Sequence, residues 1–205
     1  MKPRLPGLLV LTATAMVAGC GGTKHASSTR ATTAPPATTQ VAQTSTSPGA
    51  LQAEAASAAT GDIPDNQVYL AFRSKAGWSI KYPEGWARSG GPNATVFRDK
   101  NNIVRIVIRK GAALTQARVR SDPSLRRARI TAAPKTMGVK GSRAIKVVYS
   151  TQSAPNSVTG KRVTLTVDRY YLAFGGKLAT IDLGTPVGVD NVDAYRLMIE
   201  SFRWR

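Results

Sequence analysis

Cysteine and histidine are nearly absent from this sequence. Each occurs once, as Cys20 and His25, and both precede residue 61. A single cysteine excludes an intrachain disulfide. The stretch from residue 61 onward has neither residue, so it cannot build a Ser-His-Asp or Cys-His catalytic group, nor a zinc site of His and Cys. Acidic residues are scarce too: 11 Asp+Glu stand against 29 Lys+Arg, a formal net charge of +18. Phosphate-cradling glycine motifs are missing. Gly175-Gly176-Lys177 lacks the spaced first glycine and the hydroxyl residue of GxxxxGK[ST], and the helix-opening glycine fingerprint of dinucleotide folds does not occur. Neither a cofactor nor a bound metal is expected. The longest apolar run is also shorter than the ~20 residues a membrane-spanning helix needs.

What is present begins with an address. Lys2 and Arg4 precede the uncharged run 8–17, and Val17-Ala18-Gly19 supplies small residues before Cys20. This is the layout of a secretory signal. Val-Ala-Gly-Cys at that position resembles the bacterial lipobox. The resemblance implies that residues 1–19 are removed, that the Cys20 thiol takes a diacylglycerol, and that the new amino group takes a fatty acid such as palmitate. Buried methylenes contribute ~0.8 kcal/mol each, so one chain holds marginally and two or three hold firmly. A thioether would also remove the oxidation hazard of a lone exported thiol. The expectation is an exported lipoprotein, lipid-anchored at Cys20 to the outer face of the bacterial cell membrane without spanning it.

Residues 20–60 read as a tether. From 21 to 60, 28 of 40 residues are Ala, Thr, Ser or Pro, and none is aromatic. Such a segment cannot bury enough apolar surface to offset its ordering entropy. A flexible coil of that length reaches roughly 35 Å root-mean-square. His25 is read as a solvated linker residue.

From 61 to 205 the composition becomes that of one ordinary domain. Strand signals occur at 68–73, 78–82, 95–98, 103–110, 129–132, 144–150, 162–174 and 177–183. Ala76-Gly77, Asp99 to Asn102 and Gly175-Gly176 read as the turns between neighbours. After Asp168 large residues run without alternation, as a bulge or a strand covered on both faces would require. A helix is expected over 191–202, capped by Asp190, with Val192, Tyr195, Ile199 and Phe202 as its apolar stripe and Asn191 facing away. A second helical region, 114–128, is interrupted at Asp122-Pro123. The pattern predicts an α+β fold, a single antiparallel sheet domain covered by helices.

Residues 77–86, GWSIKYPEGW, end a strand with Tyr82-Pro83 and turn at Glu84-Gly85 before Trp86. This Tyr-Pro-x-Gly-Trp corner resembles the start of the PsbP-like fold. Asp168-Arg169-Tyr170 on a long strand, the hairpin at Gly175-Gly176-Lys177 and the last helix from Tyr195 to Arg203 extend the resemblance over about 66–205. The same plan is similar to the mycobacterial LpqN-type lipoproteins. These motifs are structural, so the resemblance implies a fold and no site. Trp78 and Tyr82 are expected to pack on the core and Trp86 to close its end. An aromatic pocket at Trp78, Trp86 and Tyr170 is the other reading.

Charge is the strongest remaining signal. From residue 61 on, 25 Lys+Arg stand against 10 acids, a net of +15. The densest part holds Arg118, Arg120, Arg126, Arg127 and Arg129. Such a field favours polyanions. For an exported protein these are anionic lipid, wall polymer or an acidic protein partner, and nucleic acid is not expected. A solvated basic surface is the bland counterpart. The first functional reading is a non-enzymatic binding or scaffold module that contacts an envelope partner through this basic face. The second is a small-molecule or lipid carrier with a pocket between sheet and helix. The third is a hydrolase using a carboxylate pair.

Overall fold

The computed structural model describes residues 61–155 and 160–205. The signal, Cys20, His25 and the stalk lie outside the described residues. Within them the chain forms ten strands and two α-helices: β1 (Tyr69–Ser74), β2 (Trp78–Pro83), β3 (Ala87–Gly91), β4 (Ala94–Asp99), β5 (Asn102–Lys110), α1 (Gln116–Arg120), β6 (Arg129–Val139), β7 (Ser142–Gln152), β8 (Thr164–Phe174), β9 (Lys177–Pro186), α2 (Val192–Ser201) and β10 (Arg203–Trp204). A 3-10 turn, Pro123–Leu125, follows α1. The α+β class with antiparallel strands and covering helices holds.

The strands divide between two sheets. β1-β2-β10 form one and β3-β4-β5-β9-β8-β7-β6 the other. The division arises because the chain leaves α2 straight into β10, which pairs with β2 through Arg203↔Ser79 and Trp204↔Trp78. The small sheet and α2 cover one face of the large sheet. The shared core holds Trp78 and Ile80 from the small sheet, Phe97, Val104, Ile106, Ile181 and Leu183 from the large one, and Tyr195, Met198 and Ile199 from α2. Full burial of each such side chain contributes about 1.5–3 kcal/mol.

The opposite face of the large sheet carries a second core. Val119 of α1 and Leu125 of the 3-10 turn pack there on Ile145, Val147, Tyr149, Leu165, Val167 and Tyr171. This explains the unalternating run in β8. Tyr170 and Leu172 face the first core and Tyr171 the second, so both faces are covered. The β8 ladders to β7 and β9 run in unbroken register, with no bulge.

Turn chemistry sets the hairpins. Gly175 and Gly176 have φ of 55° and 73° and join Phe174 to Lys177. Positive φ at both central residues is what a type I′ turn requires. The gap expected between the strand signals at 129–132 and 144–150 is instead almost all strand. β6 runs through Gly138 to Val139, and the turn is Lys140-Gly141, with φ of 43° and 81°. Register shifts on either side of Ala132 irregularise this edge strand ahead of Lys135, the part that contains Pro134, which has no N–H for the ladder.

The last helix also differs from its expected form. Its N-cap is Asn191, not Asp190. Asn191 is 3% exposed and Val192 is 69% exposed, the reverse of the expected facing. The reason is a buried polar knot. Asn191 Oδ1 accepts from the Ile63 amide at 2.8 Å, and its Nδ2 donates to Thr185 Oγ1 at 2.8 Å and Asn102 Oδ1 at 3.1 Å. Asn102 Nδ2 in turn donates to the Gly61 carbonyl. Turning Asn191 outward would leave these groups unpaired away from water. Asp190 keeps an edge role, its carboxylate accepting from the Val192 amide at 3.2 Å.

Candidate functional site

The corner at residues 77–86 is core architecture. Trp78 is fully buried. Its ring lies 5.4 Å from Phe72 and 6.1 Å from Phe202, and its Nε1 donates to the Pro92 carbonyl at 3.0 Å. Tyr82 stacks on Phe97 at 4.4 Å. Gly85, at φ 87°, turns the chain, and Trp86 returns to the same core. Tyr170 is buried there as well, with the Lys146 ammonium 5.4 Å from its ring. Trp78, Trp86 and Tyr170 are all buried side chains of this core. Their large apolar area is hidden from water there.

The five candidate arginines lie where α1, the 3-10 turn and the start of β6 cross the second core. Thr115 caps α1 by accepting from the Arg118 amide, and Asp122 caps the 3-10 turn by accepting from the Ser124 amide. Val119 and Leu125 point inward, which leaves Arg118, Arg120, Arg126, Arg127 and Arg129 exposed. None of the five engages a carboxylate among the described residues.

Beside this segment lies a cleft of about 310 Å³ over the second face of the large sheet. Its floor carries a row of charges across three adjacent strands. Arg105 of β5 stands opposite Asp182 of β9, and Asp182 stands opposite Arg169 of β8. Arg169 grips Asp182 with one edge of its guanidinium, Nε to Oδ1 at 2.5 Å and Nη2 to Oδ2 at 3.0 Å. Arg105 reaches Oδ2 at 3.1–3.2 Å. Arg169 also donates to Ser124 Oγ at 2.6 Å and Tyr149 Oη at 3.2 Å, so its fork of donors is almost spent. Burial alone would lower the Arg169 pKa, but Asp182 outweighs it and the group is held fully charged. Arg98 and Arg127 complete the rim.

Asp122 stands behind this row. Burial would raise its pKa, but the Tyr171 hydroxyl at 2.6 Å, Ser124 and the Arg169 charge together hold it below the ordinary value. Tyr149 is pushed up to about 12, chiefly by burial and then by Asp182. Charge density in the sequence points to Arg127 of this rim and not to Arg98, Arg105, Arg169 or Asp182.

A second depression, of about 400 Å³, lies between the small sheet and the end of α2. Arg73, Lys81, Lys140 and Arg203 line it with Glu200. Each of the two depressions has a single carboxylate in its lining, Asp182 in one and Glu200 in the other. Neither supplies the facing pair that glycoside hydrolysis requires. Among the described residues no group of three His, Cys, Asp or Glu side chains could hold a metal ion. No helix among them is long and apolar enough to cross a membrane.

No protein-family profile matches the chain, and no curated protein matches it. Solved structures similar in shape include one from Bacteroides thetaiotaomicron VPI-5482, at TM-score 0.46 and 15% identity. That match covers 66% of this chain and 48% of the other, so the chain spans about half that structure's length. The solution structure of cyanobacterial PsbP (CyanoP) from Synechocystis sp. PCC 6803 aligns at TM-score 0.49 and 18% identity, over 71% of this chain and 98% of that one.

Proposed function

We propose that this protein is a lipid-anchored envelope module that binds rather than catalyses. Cys20 holds it to the outer face of the cell membrane, residues 20–60 serve as its tether, and the domain from 61 to 205 meets an anionic partner through its basic face. The observation that supports this reading is the segment of five exposed arginines, Arg118, Arg120, Arg126, Arg127 and Arg129, with no carboxylate bound to any of them among the described residues. Five unneutralised guanidinium groups on one short stretch are costly to hold together unless a counter-charge is at hand. Near an anionic surface each basic residue contributes about 1 kcal/mol. An anchor a few tens of ångströms away keeps such a surface within reach.

The anchor is tested by cell fractionation. Cys20→Ser releases the protein from the membrane fraction and leaves the signal uncleaved by the lipoprotein peptidase. Unchanged partition and processing in that variant overturns the lipobox assignment.

A further inference from the structure

The cleft floored by Arg105, Asp182 and Arg169 has features that a merely solvated basic surface does not need. Four guanidinium groups line it, from Arg98, Arg105, Arg127 and Arg169, against the single carboxylate of Asp182. That carboxylate is already held by two of them. Arg98 and Arg127 engage no carboxylate among the described residues, and Arg105 keeps its side chain 44% exposed while bound to Asp182. The surplus is positive charge, and Asp122, 3.9 Å from Arg169, is the further carboxylate beside it among the described residues.

Tyr149 adds a second, independent observation. Its residue is 7% exposed, it lines the cleft, and its oxygen accepts from Arg169 Nη2. The hydroxyl proton then has no acceptor among the described residues. A hydroxyl that lines a cleft can give its remaining proton to water or to a ligand there. At neutral pH this group is a phenol, hence a donor. Arg169 cannot itself bind anything more; it positions the Tyr149 oxygen and Asp182. The floor is also an odd place for charge, since a row of buried ions stabilises no better than apolar residues of equal volume.

From the rim arginines, the committed carboxylate and the free Tyr149 proton, we infer that this cleft is a binding site for a phosphate monoester. Fork-shaped guanidinium donors suit the tetrahedral oxygens of phosphate, and a dianion matches the surplus charge better than a single carboxylate does. The cleft volume of about 310 Å³ admits the ester group and a small attached body. Apolar Leu165 and Val167 line it for that body. The inference deepens the proposed function, on which it rests for the sign of the partner's charge; Arg127 belongs to both surfaces.

The test is calorimetry of the full chain with glycerol 3-phosphate, alongside flotation with phosphatidic acid in phosphatidylcholine vesicles. The expected result is a saturable one-site isotherm. Arg98→Ala with Arg127→Ala, both exposed positions, weakens it at least about tenfold, the scale of lost charge-assisted hydrogen bonds. Tyr149→Phe weakens it while leaving the fold, and Arg118→Ala with Arg120→Ala leaves it unchanged. No saturable binding overturns the inference, as does equal weakening by both arginine pairs, which marks diffuse charge. Vesicle binding that glycerol 3-phosphate competes away assigns the ester to a lipid headgroup; vesicle binding it leaves untouched assigns it to a soluble ester. Loss of vesicle binding in Arg118→Ala with Arg120→Ala, with the isotherm intact, separates the basic face from the cleft. If all vesicle binding fails while the isotherm persists, the face reading falls and the cleft stands.

Discussion

Arg169 and Asp182 stand directly opposite each other across the β8–β9 ladder and meet edge to edge through two hydrogen bonds. Both side chains are nearly buried, at 3% and 6% exposure. Removing one partner strands the other charge. Asp182→Asn is expected to cost about 3–5 kcal/mol, read from urea unfolding. Arg169→Met combined with Asp182→Leu is expected to recover most of that, since the Arg105 side chain, 44% exposed, can turn to water. A single-variant loss below about 1 kcal/mol would mean that the pair behaves as an exposed one.

Asn191 ties the start of the domain to α2. It joins the Ile63 amide, Asn102 and Thr185, while Tyr195 donates to the Gly184 carbonyl at 2.6 Å beside it. Asn191→Ala leaves the Ile63 amide and Asn102 without that partner. The expected cost is about 1–3 kcal/mol per stranded group. Hydrogen exchange of the Ile63 amide should accelerate in the variant; unchanged protection there would contradict the role given to Asn191.

Five of the six tyrosines, Tyr69, Tyr149, Tyr170, Tyr171 and Tyr195, are raised above the ordinary 10.0, each chiefly by burial. A raised acid keeps its proton longer in the folded state. Its contribution to stability is complete below pH 10 and is lost as pH climbs through the folded value, about 12 for Tyr149. Phenolate absorbance of the folded chain should therefore lag that of the urea-unfolded chain, and the unfolding midpoint should fall as pH rises above 10. Coincident titration curves would show that these hydroxyls are not buried as described.

Much of the fold was legible because it rests on local signals. Gly175-Gly176 fixed one hairpin, the polar turn after Asp99 another, and Asp122-Pro123 the interruption between α1 and the 3-10 turn. β3 was missed because Ala87–Gly91, ARSGG, has no β-branched or aromatic residue and is exposed throughout. The facing of α2 departs from its apolar periodicity at the first turn, where the partners of Asn191 come from residues 61–63, 102 and 185. No periodicity contains that information.

The charged row was missed for a similar reason, yet a signal existed. Asp182 interrupts the apolar run Ile181–Leu183, and Arg169 sits among large residues of β8. Each lies six residues from the Gly175-Gly176 turn, one on either side. A two-residue hairpin at that turn puts them face to face. Arg105 and Arg98 could not be found so simply, since β5 reaches β9 only after β6, β7 and β8 have been laid down.

The most direct test of the account is flotation of the unlipidated full chain with neutral and with anionic vesicles over a salt series. The account predicts binding to anionic vesicles alone, lost as salt rises, and abolished when Arg118, Arg120, Arg126, Arg127 and Arg129 are all replaced by Gln. Absence of binding to anionic vesicles, or equal binding to neutral ones, would contradict a membrane-facing basic surface and move the search to a protein or wall-polymer partner.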